Sequence, residues 1–201
     1  RLVYSAPNYL LNRRFYEYAF QRDGNGELYR LGDLIRLSKN NADQGNNKRN
    51  FALLGDPALR LAHPATYKVI TDSLNHTAVT DPLDTLKALS LVKVSGHIET
   101  SGGELVDDFH GYVNSTVYDK ATTIETLSND GDPIMSFHLQ RNTIYKGAAS
   151  VENGQFSFSF KVPRDINYTY GMGQISYYAW EESNQDGQGA FGNIVVGGYQ
   201  A

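Results

Sequence analysis

A mainly β protein is predicted, an antiparallel β-sandwich of immunoglobulin-like or related Greek-key type preceded by a helical remnant of an α/β domain. Three observations carry the prediction. Beyond His63-Pro64 the chain runs through short alternating apolar stretches with turn residues about every 10 positions and no helical pattern between them. Ahead of that point stand two amphipathic helical patterns and a single apolar run, too little to close a core alone. The 201 residues include 14 Tyr, 9 Phe and 19 Gly but only 2 Met, a balance that suits pleated surfaces and tight turns. The boundary falls at residue 64, with 1–64 as the remnant and 65–201 as the sandwich.

In chain order, Ser5 offers a capping hydroxyl and Pro7 suits a first helical turn, while Leu11, Phe15, Tyr18 and Ala19 recur at helical spacing. A helix from about Pro7 to Gln21 follows, broken by Asp23-Gly24-Asn25-Gly26. Leu28, Leu31, Leu34, Ile35 and Ser38 mark a second helix ending near Asn40 and Asn41. The polar, Asn-rich stretch 40–50 is loop-like and leads into Phe51-Ala52-Leu53-Leu54, which reads as a buried strand stopped by the turn Gly55-Asp56-Pro57.

The sandwich begins with Tyr67 to Thr71, followed by a connection over 75–85. Leu89 to Ile98 alternates long enough for a strand with a bend or bulge at Gly96. Gly111 to Tyr118, Thr122 to Leu127, Ile134 to Leu139, Asn142 to Val151 and Gln155 to Val162 come next, the last two joined by the hairpin signal Asn153-Gly154. Phe156, Phe158 and Phe160 commit one face of their strand to a core. Gln174 to Trp180 and Phe191 to Val196 complete the set.

A net charge of -4 with scattered Lys and Arg argues against nucleic acid as a partner. No apolar run approaches the ~18 residues of a membrane span, and no signal-like segment opens the chain. Arg1-Leu2-Val3-Tyr4 reads as the start of a processed product or of a piece of something longer. The chain contains no Cys, which removes a thiol nucleophile, a disulfide framework and a Cys-based zinc site from these residues.

The residue types that carry chemistry are thinly spread. His63, His76, His97, His110 and His138 have no metal-helix spacing, and no Gly-x-Ser-x-Gly elbow occurs. Three clusters offer alternate oxygen ligands of the kind calcium takes: Asp23, Asn25 and Glu27; Asn129, Asp130 and Asp132; Asn184 and Asp186. The same residues are plain turn formers, and none of the clusters completes a calcium-binding loop. No other cofactor is expected. Tyr168, Tyr170, Tyr177, Tyr178 and Trp180 offer an aromatic platform for sugar or peptide, or a core with its rim. Asn75-His76-Thr77, Asn114-Ser115-Thr116 and Asn167-Tyr168-Thr169 match the N-glycosylation pattern, and Asp72-Ser73-Leu74 matches an O-glycosylation pattern of secreted Bacteroidetes proteins.

Leu31-Gly32-Asp33-Leu34-Ile35, Ser38-Lys39-Asn40 and Asn50 to Leu59 resemble the end of the peptidase domain in the gingipain-type cysteine peptidases. The continuation is similar to the sortase branch of that family, which serves type IX secretion. Val94 to Ile98, Val117 to Lys120, Leu127 to Asp130, Tyr145-Lys146-Gly147, Val162 to Tyr168, Ile175 to Ala179, Asp186 to Gly189 and Val196 to Gly198 carry that similarity. The resemblance implies a caspase-like α/β domain with a His and Cys dyad, followed by an immunoglobulin-like sandwich. The chemistry it implies is thiolate attack that releases the sorting domain of secreted cargo and transfers the cargo to a surface glycolipid. The dyad lies upstream of the Gly-Asp-Pro segment in this family and no position here matches it, so no catalytic residue is assigned. Implied partners are the rest of the parent peptidase and proteins of an outer-membrane attachment complex, at the extracellular or outer-membrane surface of a Gram-negative bacterium. The other reading is a secreted sandwich that binds glycan or peptide, and an autonomous hydrolase ranks last.

Overall fold

The computed structural model describes residues 4–42, 46–61, 67–82, 84–183 and 185–200. It separates into two compact units, Arg1–His63 and Pro64–Ala201.

The first unit holds α1 (Ser5–Ala19), α2 (Leu31–Asn41) and a 3-10 turn (Asn46–Asn50). Leu11 and Ala19 of α1 and Leu34 and Ser38 of α2 are buried, the inward positions of two amphipathic helices. Ser38 satisfies its buried hydroxyl by donating to Leu34 O at 2.6 Å. The hydroxyl of Ser5 is not the cap: α1 begins at Ser5, and Tyr4 takes the N-cap position without a side-chain cap bond. Pro7 does not pin the start, because every N–H in the first turn lacks an intrahelical partner and Pro is tolerated there.

Phe51 to Leu54 is not a buried strand. Among the described residues it pairs with no strand, and Leu54 is 97% exposed. A strand needs a neighbour for its N–H and C=O groups. Within the described residues of this unit the only β-type pairings are the single bridges Arg22–Leu28 and Arg30–Arg60. The Gly55-Asp56-Pro57 turn has a different role from ending a strand. Asp56 Oδ1 accepts the Ala58 N–H at 2.8 Å, and the carbonyls of Leu59 and Pro57 accept the N–H groups of Leu31 and Gly32 at 2.7 and 2.9 Å. Those donors belong to the first turn of α2, so the turn caps that helix. A Cβ on Gly32 would lie 2.8 Å from Pro57 Cβ. Gly32→Ala is therefore expected to pry the turn from the helix and cost about 1–3 kcal/mol despite the better helix propensity of Ala, read as lost helical circular dichroism on urea titration.

The second unit is built on β1 (Tyr67–Leu74), β2 (Thr77–Ala78), β3 (Leu86–Ala88), β4 (Leu91–Glu99), β5 (Gly111–Tyr118), β6 (Thr122–Glu125), β7 (Ser136–Leu139), β8 (Thr143–Glu152), β9 (Gln155–Lys161), β10 (Gly171–Trp180) and β11 (Asp186–Tyr199). Nine strands form one sheet in the order β2-β1-β4-β9-β8-β5-β10-β11-β3, and β6 with β7 forms a separate hairpin. A parallel contact of Tyr67 and Lys68 with Gly187 and Gln188 joins β1 to β11 and closes the sheet into a barrel-like layer. β8 and β9 pair only at Val151–Phe156 and Glu152–Gln155, beside their hairpin. This short ladder and the β1–β11 contact join two runs of paired strands, β1-β4-β9 on one side and β8-β5-β10-β11 on the other.

The core lies between the two sides. Phe156, Phe158 and Phe160 point into it, and Tyr145 stacks on Phe158 and Phe160 at 5.5 and 4.8 Å. Val92, Val94, Val113, Val117, Ile175 and Ala179 are fully enclosed, as their period-2 spacing requires. Asn153 and Gly154 have φ of 52° and 71°, the left-handed pair of a type I′ hairpin.

Four features depart from the local pattern. Asn75 and His76, with φ of 49° and 69°, make a tight turn into β2 within the stretch assigned to a connection. β3 is too short to show a period. β11 is longer than Phe191 to Val196 because its glycines mark close approach, not a turn: a Cβ on Gly189 would sit 1.9 Å from Val69 O. The irregularity near Gly96 lies on the partner strand, where the β1 register shifts between Thr71 and Ser73.

Candidate functional site

Of the calcium candidates, Asp23 and Glu27 have their carboxylates engaged in local structure. Asp23 Oδ1 accepts the N–H groups of Asn25 and Glu27 at 2.8 and 3.0 Å, closing the loop between the helices. Those backbone bonds, first from Glu27 and then Asn25, with the charge of Arg60, hold the exposed Asp23 carboxyl below its ordinary value. Glu27 pairs with Arg60 at 2.5 Å. Asp130 and Asp132 lie exposed between β6 and β7, where Ser128 donates its hydroxyl to Asp132 O and Gly131 N–H bonds Ser128 O. Asp186 opens β11, and Asn184 lies outside the described residues. Among the described residues no three of His, Asp and Glu converge as a metal site.

The histidines are dispersed, and His63 lies outside the described residues. His97 alone sits in a charged line across β1 and β4: Asp72 Oδ1 is 2.8 Å from its Nδ1, Glu99 Oε2 is 3.6 Å from its Nε2, and Lys68 is 3.6 Å from Glu99. Pattern reading missed this line because its members come from two strands and Asp72 stands at the register shift. Its Nε2 faces a carboxylate and not a hydroxyl, so it lacks the geometry of an activated serine. Of the glycosylation matches, Asn75 bonds the Lys93 N–H at 2.8 Å, Asn167 bonds the Thr169 N–H at 2.9 Å, and Ser73 Oγ lies 2.6 Å from Ser95 Oγ.

The aromatic set divides. Tyr177 is a core residue whose hydroxyl lies 2.8 Å from Thr71 Oγ1. Burial pushes its phenol well above the ordinary range, the bond to Thr71 opposes the rise, and the charge of Asp72 adds to it. A folded-state value raised above the unfolded one contributes stability that is full below pH ~10 and lost as pH rises further. Tyr177→Phe should cost about 1 kcal/mol at neutral pH and flatten the loss of stability above pH ~10, measured as urea midpoint against pH. Tyr168 packs edge-on to Tyr199 at 6.3 Å, ahead of β10.

Trp180 lies at the far end of β10, about 30 Å from the start of that strand. It is the direct cross-strand partner of Tyr112 on β5, with ring centroids 5.3 Å apart and planes inclined by 36°. Gly111 makes this arrangement possible, since a Cβ there would lie 2.2 Å from Trp180 O. The two rings border a cleft of about 560 Å³ that His110, Glu152, Glu181 and Glu182 also line. The β8–β9 hairpin brings Glu152 and the β10–β11 turn brings Glu181 and Glu182. Trp180 was visible as a candidate in the sequence, but Tyr112 and Glu152 were not, because only strand pairing brings them beside it.

Residues 1–62 match peptidase family C25. The structure of dimeric latent PorU from Porphyromonas gingivalis is 28% identical over 90% of this chain, with a TM-score of 0.59. The match occupies only 18% of the PorU chain, so the present chain spans under a fifth of that protein. Spo0M, a sporulation control protein of Bacillus subtilis, matches 67% of this chain and 50% of its own at 18% identity and a TM-score of 0.38. A superoxide reductase (neelaredoxin) of Ignicoccus hospitalis matches 66% and 82% at 14% identity and 0.30. The last two are too distant to carry an argument. No curated protein matches the chain. Among the described residues no helix is long and apolar enough to cross a membrane.

Proposed function

We propose that this chain, related to the gingipain-type cysteine peptidases, is a non-catalytic C-terminal segment of such a peptidase that supports the peptidase domain and offers protein contacts through its second unit. The observation that carries this reading is the division of the likeness: family C25 matches residues 1–62, whereas similarity to PorU continues over 90% of the chain. The reading divides the chain at residue 64, with 1–64 as the end of a caspase-like α/β domain and 65–201 as an immunoglobulin-like sandwich. In its support, Phe51 to Leu54 is an apolar run without a partner strand among the described residues, as expected of a strand whose sheet is supplied elsewhere. The order β1-β4-β9 against β8-β5-β10-β11, with β1 parallel to β11 at one corner, supports the sandwich assignment.

The chain has no Cys, so a parent cysteine peptidase would draw its nucleophile from other residues. Type IX secretion, cargo sorting and a place at the outer-membrane surface belong to this reading of the parent. The coding sequence ahead of Arg1 tests it: a caspase-like pattern with His and Cys is expected, and a signal segment joined directly to Arg1 overturns it. A second measurement is amide exchange. Phe51 to Leu54 should exchange freely in this chain and become protected in the parent protein.

The cleft beside Trp180 favours a second reading, a secreted binding module for glycan or peptide. It predicts ligand capture that Trp180→Ala abolishes, while the urea midpoint of the variant stays close to that of the parent chain.

A further inference from the structure

From the Trp180 cleft we infer that the second unit binds a Lys or Arg side chain presented by an extended segment of a protein partner. Tyr112 and Trp180 remain 49% and 38% exposed, two large rings held side by side by strand register with open faces. The rim is negative, with Glu152, Glu181 and Glu182 in the lining and neither Lys nor Arg among the lining residues. Glu181 is committed within the fold: its Oε2 accepts the His110 N–H at 3.2 Å and its Oε1 accepts the Ser183 hydroxyl. Glu152 and Glu182 have no ion pair among the described residues and are exposed. Aromatic faces carry the negative side of the ring quadrupole and attract cations, and the planar guanidinium of Arg adds stacking to that attraction.

Charge decides between occupants. A neutral sugar can stack on Trp180 but gains nothing from the charge of three carboxylates lining one cleft, whereas a cation is attracted by it. The volume of about 560 Å³ lies in the usual range for ligand clefts, roughly 300–1,000 Å³. It takes one long side chain and the backbone beside it. The cleft is lined from the β8–β9 and β10–β11 turns. This inference deepens the peptide form of the binding reading, but it rests on the cleft alone and stands whether or not the first unit derives from a peptidase.

Trp180 is the only Trp in the chain, so its fluorescence reports on this cleft and nothing else. The full chain is titrated with acetyl-Gly-Arg-Gly-Arg-Gly amide, with the same peptide carrying citrulline for each Arg, and with a chitooligosaccharide. The Arg peptide should give a saturable change that weakens with added salt, and the citrulline peptide should bind at least about tenfold more weakly. At about fivefold per carboxylate, Glu152→Gln with Glu182→Gln should weaken the Arg peptide about 25-fold while leaving the urea midpoint unchanged. Equal binding of the citrulline peptide, full affinity in the double variant, saturation by the oligosaccharide alone, or no saturable change with any probe overturns the inference. None of these results bears on the coding sequence ahead of Arg1, so the peptidase reading is judged separately.

Discussion

Gly96→Ala is expected to abolish cooperative folding of the second unit. A Cβ at that position would lie 2.1 Å from Ile70 O and 2.5 Å from Phe156 Cζ. The first atom belongs to the β1–β4 ladder, where Ile70 is registered with His97 and Thr71 with Gly96. The second belongs to the row of core phenylalanines, where Phe156 is 4% exposed. A flexible surface chain would swing aside, but neither backbone nor packed ring has room to do so. Overpacking commonly costs about 1–3 kcal/mol, and a clash with backbone on one side and core on the other should exceed about 4 kcal/mol. That is a large share of the roughly 5–15 kcal/mol that holds a domain together. Gly192→Ala is the matched control, because nothing lies within 4 Å of a Cβ there. Urea unfolding followed by near-ultraviolet circular dichroism should show a normal transition for Gly192→Ala and none for Gly96→Ala. A Gly96→Ala midpoint close to that of the parent chain would refute the packing argument.

The second large effect is expected at Lys120. Its Nζ lies 2.7 Å from Asp119 Oδ1 and donates to Asn167 O at 2.7 Å, with the side chains of Lys120 and Asp119 only 10% and 7% exposed. The Asp119 N–H bonds Asn142 O at 2.8 Å, and Gln140 donates to Asp119 O at 2.8 Å. The backbone of Asp119 thus ties the end of β5 to the segment before β8, and the ion pair, through Lys120 Nζ, ties it to the loop before β10. Lys120→Ala would leave a buried carboxylate with no counter-charge, and about 3–5 kcal/mol should be lost. Replacing both partners, as in Asp119→Leu with Lys120→Met, removes the charges together and should recover most of that loss. If the double variant is as unstable as Lys120→Ala, the cost comes from lost packing and not from the orphaned charge.

Much of the fold could be read from local pattern. Phe156, Phe158 and Phe160 announced a buried face, and Asn153-Gly154 announced the turn before it, because alternation and left-handed turn chemistry are properties of neighbouring residues. The two helices appeared within about three residues of their true bounds for the same reason. Phe51 to Leu54 shows where such reading stops: an apolar run states that a segment wants a partner, not whether one is present. Gly187 and Gly189 fail in the opposite direction. Glycine is a weak strand former, so the local pattern starts the strand only at Phe191, yet the missing side chains are what let β1 close against β11.

The candidate site divides along the same line. Trp180 could be singled out from residue type, and the absence of Cys assigned any thiol chemistry to residues outside this chain. The pairing of Trp180 with Tyr112, the approach of Glu152, and the charged line from Asp72 to Lys68 were decided by strand register. By itself the sequence determined both helices and most of the longer strands, the committed core face and the family likeness, all of which rest on interactions between near neighbours or on residue identity. Only the tertiary structure decided the closed sheet, the capping role of Gly55-Asp56-Pro57 and the acidic aromatic cleft, because each depends on contacts between segments far apart in the chain.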